Sequence, residues 1–222
     1  MKPTSKEELK EIIKNTINEQ GVECDLNFID TSLITDMSEL FFYSDFNGNI
    51  SNWDVANVIN MRCMFLSSRF NGDISKWNVA KVEDMKGMFY GAIFNNDISE
   101  WDVSKIKDMS YMFNSSEFNG NISKWDVSSV ETMEGMFGNS KFNQDISNWD
   151  IANVENMEEM FFKSKFNSNI SGWDVSNVKN MRDMFRHSQF NGNISDWDIK
   201  NVTNRRFMFE NCPLEENLPD WY

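Results

Sequence analysis

An acidic residue returns every 24 positions along this chain: Asp54, Asp102, Asp126, Asp150, Asp174 and Asp198, with Asn78 in the one gap. Hard oxygen ligands in a row suit Ca²⁺, so a column of cation sites is one chemistry open to them. Like charges ~5 Å apart also repel by somewhat under ~1 kcal/mol per neighbour in water, so something must offset them. An Asx-type turn does so without a ligand, each carboxylate accepting amide bonds from the residues that open its own helix. Asn78 can do the same, which favours the turn. No glycine-rich calcium-solenoid repeat accompanies the column, so cation binding is the lesser expectation. A basic protein partner is the third reading.

Variable positions flank the column. One step before a recurring Trp stand Asn52, Lys76, Glu100, Lys124, Asn148, Gly172 and Asp196; two steps past the Asp stand Ala56, Ala80, Ser104, Ser128, Ala152, Ser176 and Lys200. The expected interaction surface is Lys76, Asn78, Glu100, Asp102, Lys124, Asp126, Asn148, Asp150, Asp174, Asp196, Asp198 and Lys200. It is small, polar and poor in aromatic residues, which predicts a weak or avidity-dependent partner. The loops carrying Tyr90, Phe162, Arg186 and His187 are the other candidate binding side. Enzyme chemistry has little to stand on. His187 is the only histidine, and no phosphate loop, zinc spacing or G-x-S-x-G is present. No catalytic residue, metal or cofactor is expected. A carboxylate glycosidase is a remote alternative, because acids are plentiful but no pair is set apart by its surroundings.

The frame that carries these columns recurs just as strictly. Its leading Phe returns at Phe46, Phe70, Phe94, Phe118, Phe142, Phe166 and Phe190, and its Trp at Trp53, Trp77, Trp101, Trp125, Trp149, Trp173 and Trp197. A period of this length predicts a solenoid whose units bury their apolar faces against their neighbours. In the repeat that begins at Phe142, the alternation of Trp149 and Ile151 predicts a short strand. Val154, Met157, Met160 and Phe161 follow helical spacing, with Asn153 as N-cap. Strands stack ~4.8 Å apart and helices ~8–10 Å, so such a coil must bend with its strands inside. The expected fold is therefore an α/β solenoid, a leucine-rich-repeat-like right-handed coil with short parallel strands on the concave side, short helices on the convex side and an N-terminal capping helix.

Its expected organisation has three parts. Residues 1–21 form the capping helix, with Ser5 and Glu8 as a capping box and Leu9, Ile12, Ile13 and Ile17 on one face. Residues 22–213 form the array, a degenerate first repeat at 22–45 and seven 24-residue repeats at 46–213. Residues 214–222 form a C-terminal half-repeat cap in which Leu214, Leu218 and Trp221 hold the Phe, Ile and Trp columns. The Met pairs and the Trp column read as core. The uniform Asn column, from Asn47 to Asn191, reads as a ladder closing backbone donors between coils.

The formal net charge is −14 with no basic stripe, which argues against nucleic acid. Cys24, Cys63 and Cys212 sit in different phases of the repeat, so no disulfide framework is expected. No run reaches transmembrane length, and a monomer is expected.

The phrase F-N-x-D/N-I-S-x-W-D-V-S-N-V-x-x-M-x-x-M-F resembles the BspA-like leucine-rich-repeat family, in the branch known from mycoplasma lipoproteins and other bacterial surface proteins. The likeness covers residues 22–222. It implies a non-catalytic protein-interaction or adhesion role, with a protein or cell-surface ligand as partner. A calcium-stabilised structural spacer is the alternative. The family precedent is the cell surface or secretion. No signal peptide, lipobox or wall anchor is visible, which leaves a cytoplasmic location open.

Overall fold

A computed structural model describes residues 1–222. The chain opens with α1, Lys6–Gln20. Ser5 caps it, its hydroxyl accepting from the Glu8 amide at 3.2 Å, while the Glu8 carboxylate accepts from the Thr4 amide at 2.7 Å. Gly21 ends it at φ +89°, a conformation open to glycine at no steric cost. Leu9 and Ile13 are buried in the same hydrophobic core as the array.

Beyond α1 the expected architecture is not formed. The array contains no helix and no sheet. One 3₁₀ turn lies at Pro213–Glu216, and β pairing is limited to isolated parallel bridges such as Asp108 with Thr132. The α/β leucine-rich-repeat coil is therefore overturned. With no helix in the array, the difference in thickness that predicted a concave strand side and a convex helical side has no source.

Each repeat is instead a run of turns. In Phe142–Lys165 the triplets Ile146 to Trp149, Ile151 to Val154 and Met157 to Met160 each close with an amide-to-carbonyl bond three residues back, at 3.2, 2.9 and 3.2 Å. Both ends of each turn point inward. An Asx residue precedes every one. Asp145, Asp150 and Asn156 accept from the amides of Ser147, Ala152 and Glu158 at 2.9, 3.1 and 3.0 Å. Such a side chain offers the backbone an alternative to helix or ladder, which is why the chain turns at these points. The expected helix also fails on its dihedrals. Glu159 and Lys163 stand at φ +55° and +54°, and the same two positions are left-handed in every repeat, from Glu39 and Tyr43 to Phe207 and Asn211. An α-helix needs consecutive right-handed residues. Asn153 is no N-cap; its Nδ2 donates to the Ser128 carbonyl one repeat back at 2.7 Å.

Repeats stack as rungs. The arm M-x-x-M-F carries the main ladder: the amides of Met133, Gly135, Phe137 and Asn139 donate to the carbonyls of Asn156, Glu158, Met160 and Phe162 at 2.9, 2.7, 2.9 and 2.6 Å. Every inter-rung backbone bond of this arm runs toward the following rung, so the peptide dipoles of those units align along the stack. The Asn column climbs the other way, each amide donating to the Oδ1 of the preceding Asn, as from Asn143 to Asn119 at 2.9 Å. Inside, the rings stack on their counterparts. Phe113 and Phe137 lie 5.8 Å apart, Phe118 and Phe142 6.3 Å, both pairs within 4° of parallel. Each Trp indole donates to a backbone carbonyl of the rung before, Trp125 to Ile98 at 3.0 Å and Trp53 to Leu26 at 3.0 Å. The Met pairs are fully buried among these rings. Trp221 repeats the indole bond on Ile194 at 3.1 Å, laying the final residues on one side of the last rung.

Candidate interaction face

The aspartate column lies exposed, with Asp54, Asp102, Asp126, Asp150, Asp174 and Asp198 all at the surface. Each accepts from the amide two residues on, as Asp126 does from Ser128 at 3.1 Å and Asp54 from Ala56 at 3.0 Å. Asn78 makes the same bond to Ala80 at 3.2 Å. Side-chain and backbone donors of Ser104 and Ser176 hold Asp102 and Asp174 below the usual carboxylate range, and Lys200 does so for Asp198. One oxygen of each thus serves its own turn, and no three acidic, His or Cys side chains converge to hold a metal ion. The flanks are exposed as well. Lys124 pairs with Glu100 across one rung at 3.0 Å, and Lys200 with Asp198 at 2.7 Å. Lys76, Asn148 and Asp196 stand in the same exposed column as Lys124, one step before Trp.

Two predictions follow from the turn role. Asp126→Ala removes an Asx acceptor and is expected to cost about 1 kcal/mol, while Asp126→Asn changes stability by a few tenths. Urea unfolding of the two variants checks this. The second concerns acid. Asp73, Asp97 and Asp145 are lowered chiefly by the amides of Ser75, Ser99 and Ser147, and Asp30 is lowered to about 2 chiefly by the Ser32 hydroxyl. A depressed folded pKa gives stability that is present above the unfolded value near 3.8 and is lost as pH falls through the folded one. Glu159, raised by burial and then by Asp183, acts in the opposite sense but is a single group. Melting temperature is expected to fall between about pH 4 and pH 2.

A second surface is built on the arm. Four of its positions per rung leave the core, and their identity changes from rung to rung. They are Lys86, Gly87, Tyr90 and Gly91 in one, Glu158, Glu159, Phe162 and Lys163 in another, and Arg182, Asp183, Arg186 and His187 in the next. Left-handed backbone at two of the four places turns these side chains along the rim. Asp183 is 3% exposed and closed between Arg182 at 3.0 Å and Arg186 at 3.4 Å. Arg186 continues to Glu210 at 3.0 Å and Arg182 to Glu158 at 3.2 Å, so three rungs share one ion-pair network. Removing one partner of such a network leaves a desolvated charge, so its members are held in place. Tyr111 lies flat across Gly135, where a Cβ would come within 2.5 Å of its ring, and its hydroxyl donates to Glu134. Burial, then the Glu134 bond, pushes its phenol up. Phe162 meets His187 edge-on at 6.0 Å and carries the Lys163 ammonium over its face at 5.1 Å.

Tyr90, Phe162, Arg186 and His187 therefore share one rim. The ion-pair network and the Tyr111–Glu134 bond were not anticipated. Their signal in the sequence is variability at four positions inside an otherwise fixed frame.

A fixed interior, fixed turns and variable surface positions define a repeat protein. The chain belongs to the family described as Mycoplasma protein of unknown function, DUF285, whose model matches residues 8–117, 93–165 and 141–221. No curated protein and no solved structure matches it. The family match is to a repeat family without an assigned function. No helix is long and apolar enough to cross a membrane.

Proposed function

We propose that this chain is a non-catalytic interaction module for a protein or cell-surface ligand. The observation that carries the reading is the changing rim: Tyr43, Tyr90, Phe162, Arg186 and His187 stand outside a frame that otherwise repeats. Aromatic and Arg side chains are the usual anchors of protein interfaces. The likeness of the repeat phrase to BspA-like surface proteins supports the same role. No catalytic step is assigned to the rim carboxylates, because Glu158 is held by Asn180 and Arg182 and Asp183 by two arginines.

Surface plasmon resonance of the chain against a panel of cell-surface and matrix proteins tests this. Any binding found is expected to weaken at least about tenfold in Tyr90→Ser/Phe162→Ser. If Asp102→Ala/Asp126→Ala/Asp150→Ala removes it instead, with the fold intact, the partner sits on the aspartate side with Lys76, Glu100 and Lys124. The calcium-spacer reading has its own measurement: with one oxygen of each Asp engaged in its turn and no cluster of ligating side chains around the other, melting temperature is expected to be the same in EDTA and in millimolar Ca²⁺.

A further inference from the structure

The one-way ladder of the arm has two unequal ends. Through the stack, arm amides donate forward, as Met181, Asp183, Phe185 and His187 do to Asn204, Arg206, Met208 and Glu210. In the last rung the equivalent amides belong to Arg205, Phe207, Phe209 and Asn211. The first three have no partner. The fourth donates to the Glu215 carboxylate at 2.8 Å, so the chain's own anion already sits on this edge. Aligned peptide dipoles place partial positive charge at the amide end of such a ladder.

The surroundings of this edge break the repeat. Arg205 stands where the preceding rungs have Met61, Met85, Met109, Met133, Met157 and Met181. Neither Arg205 nor Arg206 is in an ion pair; Arg205 stacks on the Tyr222 ring at 5.7 Å. Both line a hollow of about 430 Å³ on one side of Tyr222. Phe207, Glu215 and Leu218 line another of about 310 Å³ on its other side. Phe207 is 50% exposed. The final half-repeat covers the Phe and Trp side of the last rung, with Tyr222 on the Phe209 ring at 4.9 Å, and leaves Arg205 and Phe207 open.

We propose that this edge receives an extended, acidic segment of a partner protein, laid against the open amides of Arg205 and Phe207. Donors on alternate residues call for acceptor carbonyls on alternate residues, which an extended backbone supplies. The two unpaired arginines beside them select a carboxylate. Phe207 and Leu218 supply the apolar contact. A second copy of the chain fits less well. Its matching carbonyls, at Asp36, Ser38 and Leu40, lie beside α1, whose Lys6 is bonded to Asp36 and Ser38. Stacking two copies would trap both caps between them.

The inference rests on the reading of the chain as an interaction module, but it uses neither Tyr90 nor Phe162, so the two fail separately. The probe is a blocked synthetic peptide copying residues 36–44, DMSELFFYS, which carries the required carbonyl spacing and two carboxylates. Amide hydrogen exchange of the full chain is followed by NMR. Exchange at Arg205 and Phe207 is expected to slow at least about tenfold with peptide, with the rim amides of the earlier rungs unchanged. Arg205→Met/Arg206→Ser, which restores the Met column, is expected to weaken peptide binding about tenfold with an unaltered melting temperature. A peptide with Asn and Gln in place of its acids is expected to lose about the same. Three results would overturn the proposal: no slowing at millimolar peptide, protection confined to other residues, or binding indifferent to both charge changes. Sedimentation showing self-association lost in the same double variant would also overturn it, in favour of a second copy.

Discussion

Phe137→Ala is expected to lower stability by about 3–5 kcal/mol, the range for deleting a large buried aromatic. Phe137 is fully buried and touches four rings: Phe113 at 5.8 Å, Phe161 at 5.9 Å, Phe142 at 4.0 Å and Trp149 at 6.2 Å. Two of these belong to neighbouring rungs in the same column, so the cavity opens between three rungs at once. The stacked geometry adds a loss beyond buried area, about 0.5–1.5 kcal/mol per aromatic pair. Relaxation is limited, because the backbone on both sides is fixed by the arm ladder. Phe207→Ala, which removes an exposed ring from the last rung, is expected to cost under about 1 kcal/mol. Chemical denaturation of both variants checks the contrast. A similar loss at the two sites would mean that the column is not the core of the fold.

Deletion of residues 118–141 is expected to leave a folded protein, and deletion of residues 118–140 a folded protein less stable than the first by about 1–3 kcal/mol. The first removes one whole 24-residue rung and joins Glu117 to Phe142, so every column continues. Each rung bonds only its neighbours, so the loss is one intrinsic term and one interface. The second leaves Lys141 as one extra residue between Glu117 and Phe142, while the rungs on either side keep their own 24-residue spacing. Only the junction is out of step, where the cross-rung bonds of the Asn column have to re-form around the extra residue. A buried polar group left without its partner there costs about 1–3 kcal/mol. Circular dichroism and a melting curve on the two deletions separate the cases. Failure of the first deletion to fold would refute the stacked-rung account.

Much of this architecture was legible in the chain. The period, the inward Phe, Trp and Met columns and the Asn ladder follow from residues that repeat in nearly every rung. The local conformation did not follow. Val154, Met157, Met160 and Phe161 fit a helix because inward residues three apart also describe a tight turn. What separates the two is the Asp or Asn ahead of each turn, at Asp145, Asp150 and Asn156, with acceptor bonds that compete with a helix. The left-handed sites were hidden for a different reason. Gly135 and Asn139 suit them, but Glu159, Lys163 and Phe207 do not, and a non-glycine residue there costs about 1–2 kcal/mol. The ladder bonds made by Glu159 and Lys163, each at 2.9 Å, offset that cost once the next rung is in place. The aspartate column was readable as an Asx turn, although the helix it was expected to open is absent. The rim was the hardest to see, because its ion pairs join residues 24 apart that share no pattern.

The rung-by-rung bonding has a mechanical side. Pulled from one end, the array has no long-range crosslink to resist as a whole, since Cys24, Cys63 and Cys212 are all free. It behaves as a spool. Each rung that peels away pays out 24 residues of slack, roughly 80 Å of extended chain. The rung beneath is left with the same exposed rings and the same open amides or carbonyls, so the next length comes away against nearly the same resistance. Load is thus converted into reach in equal steps.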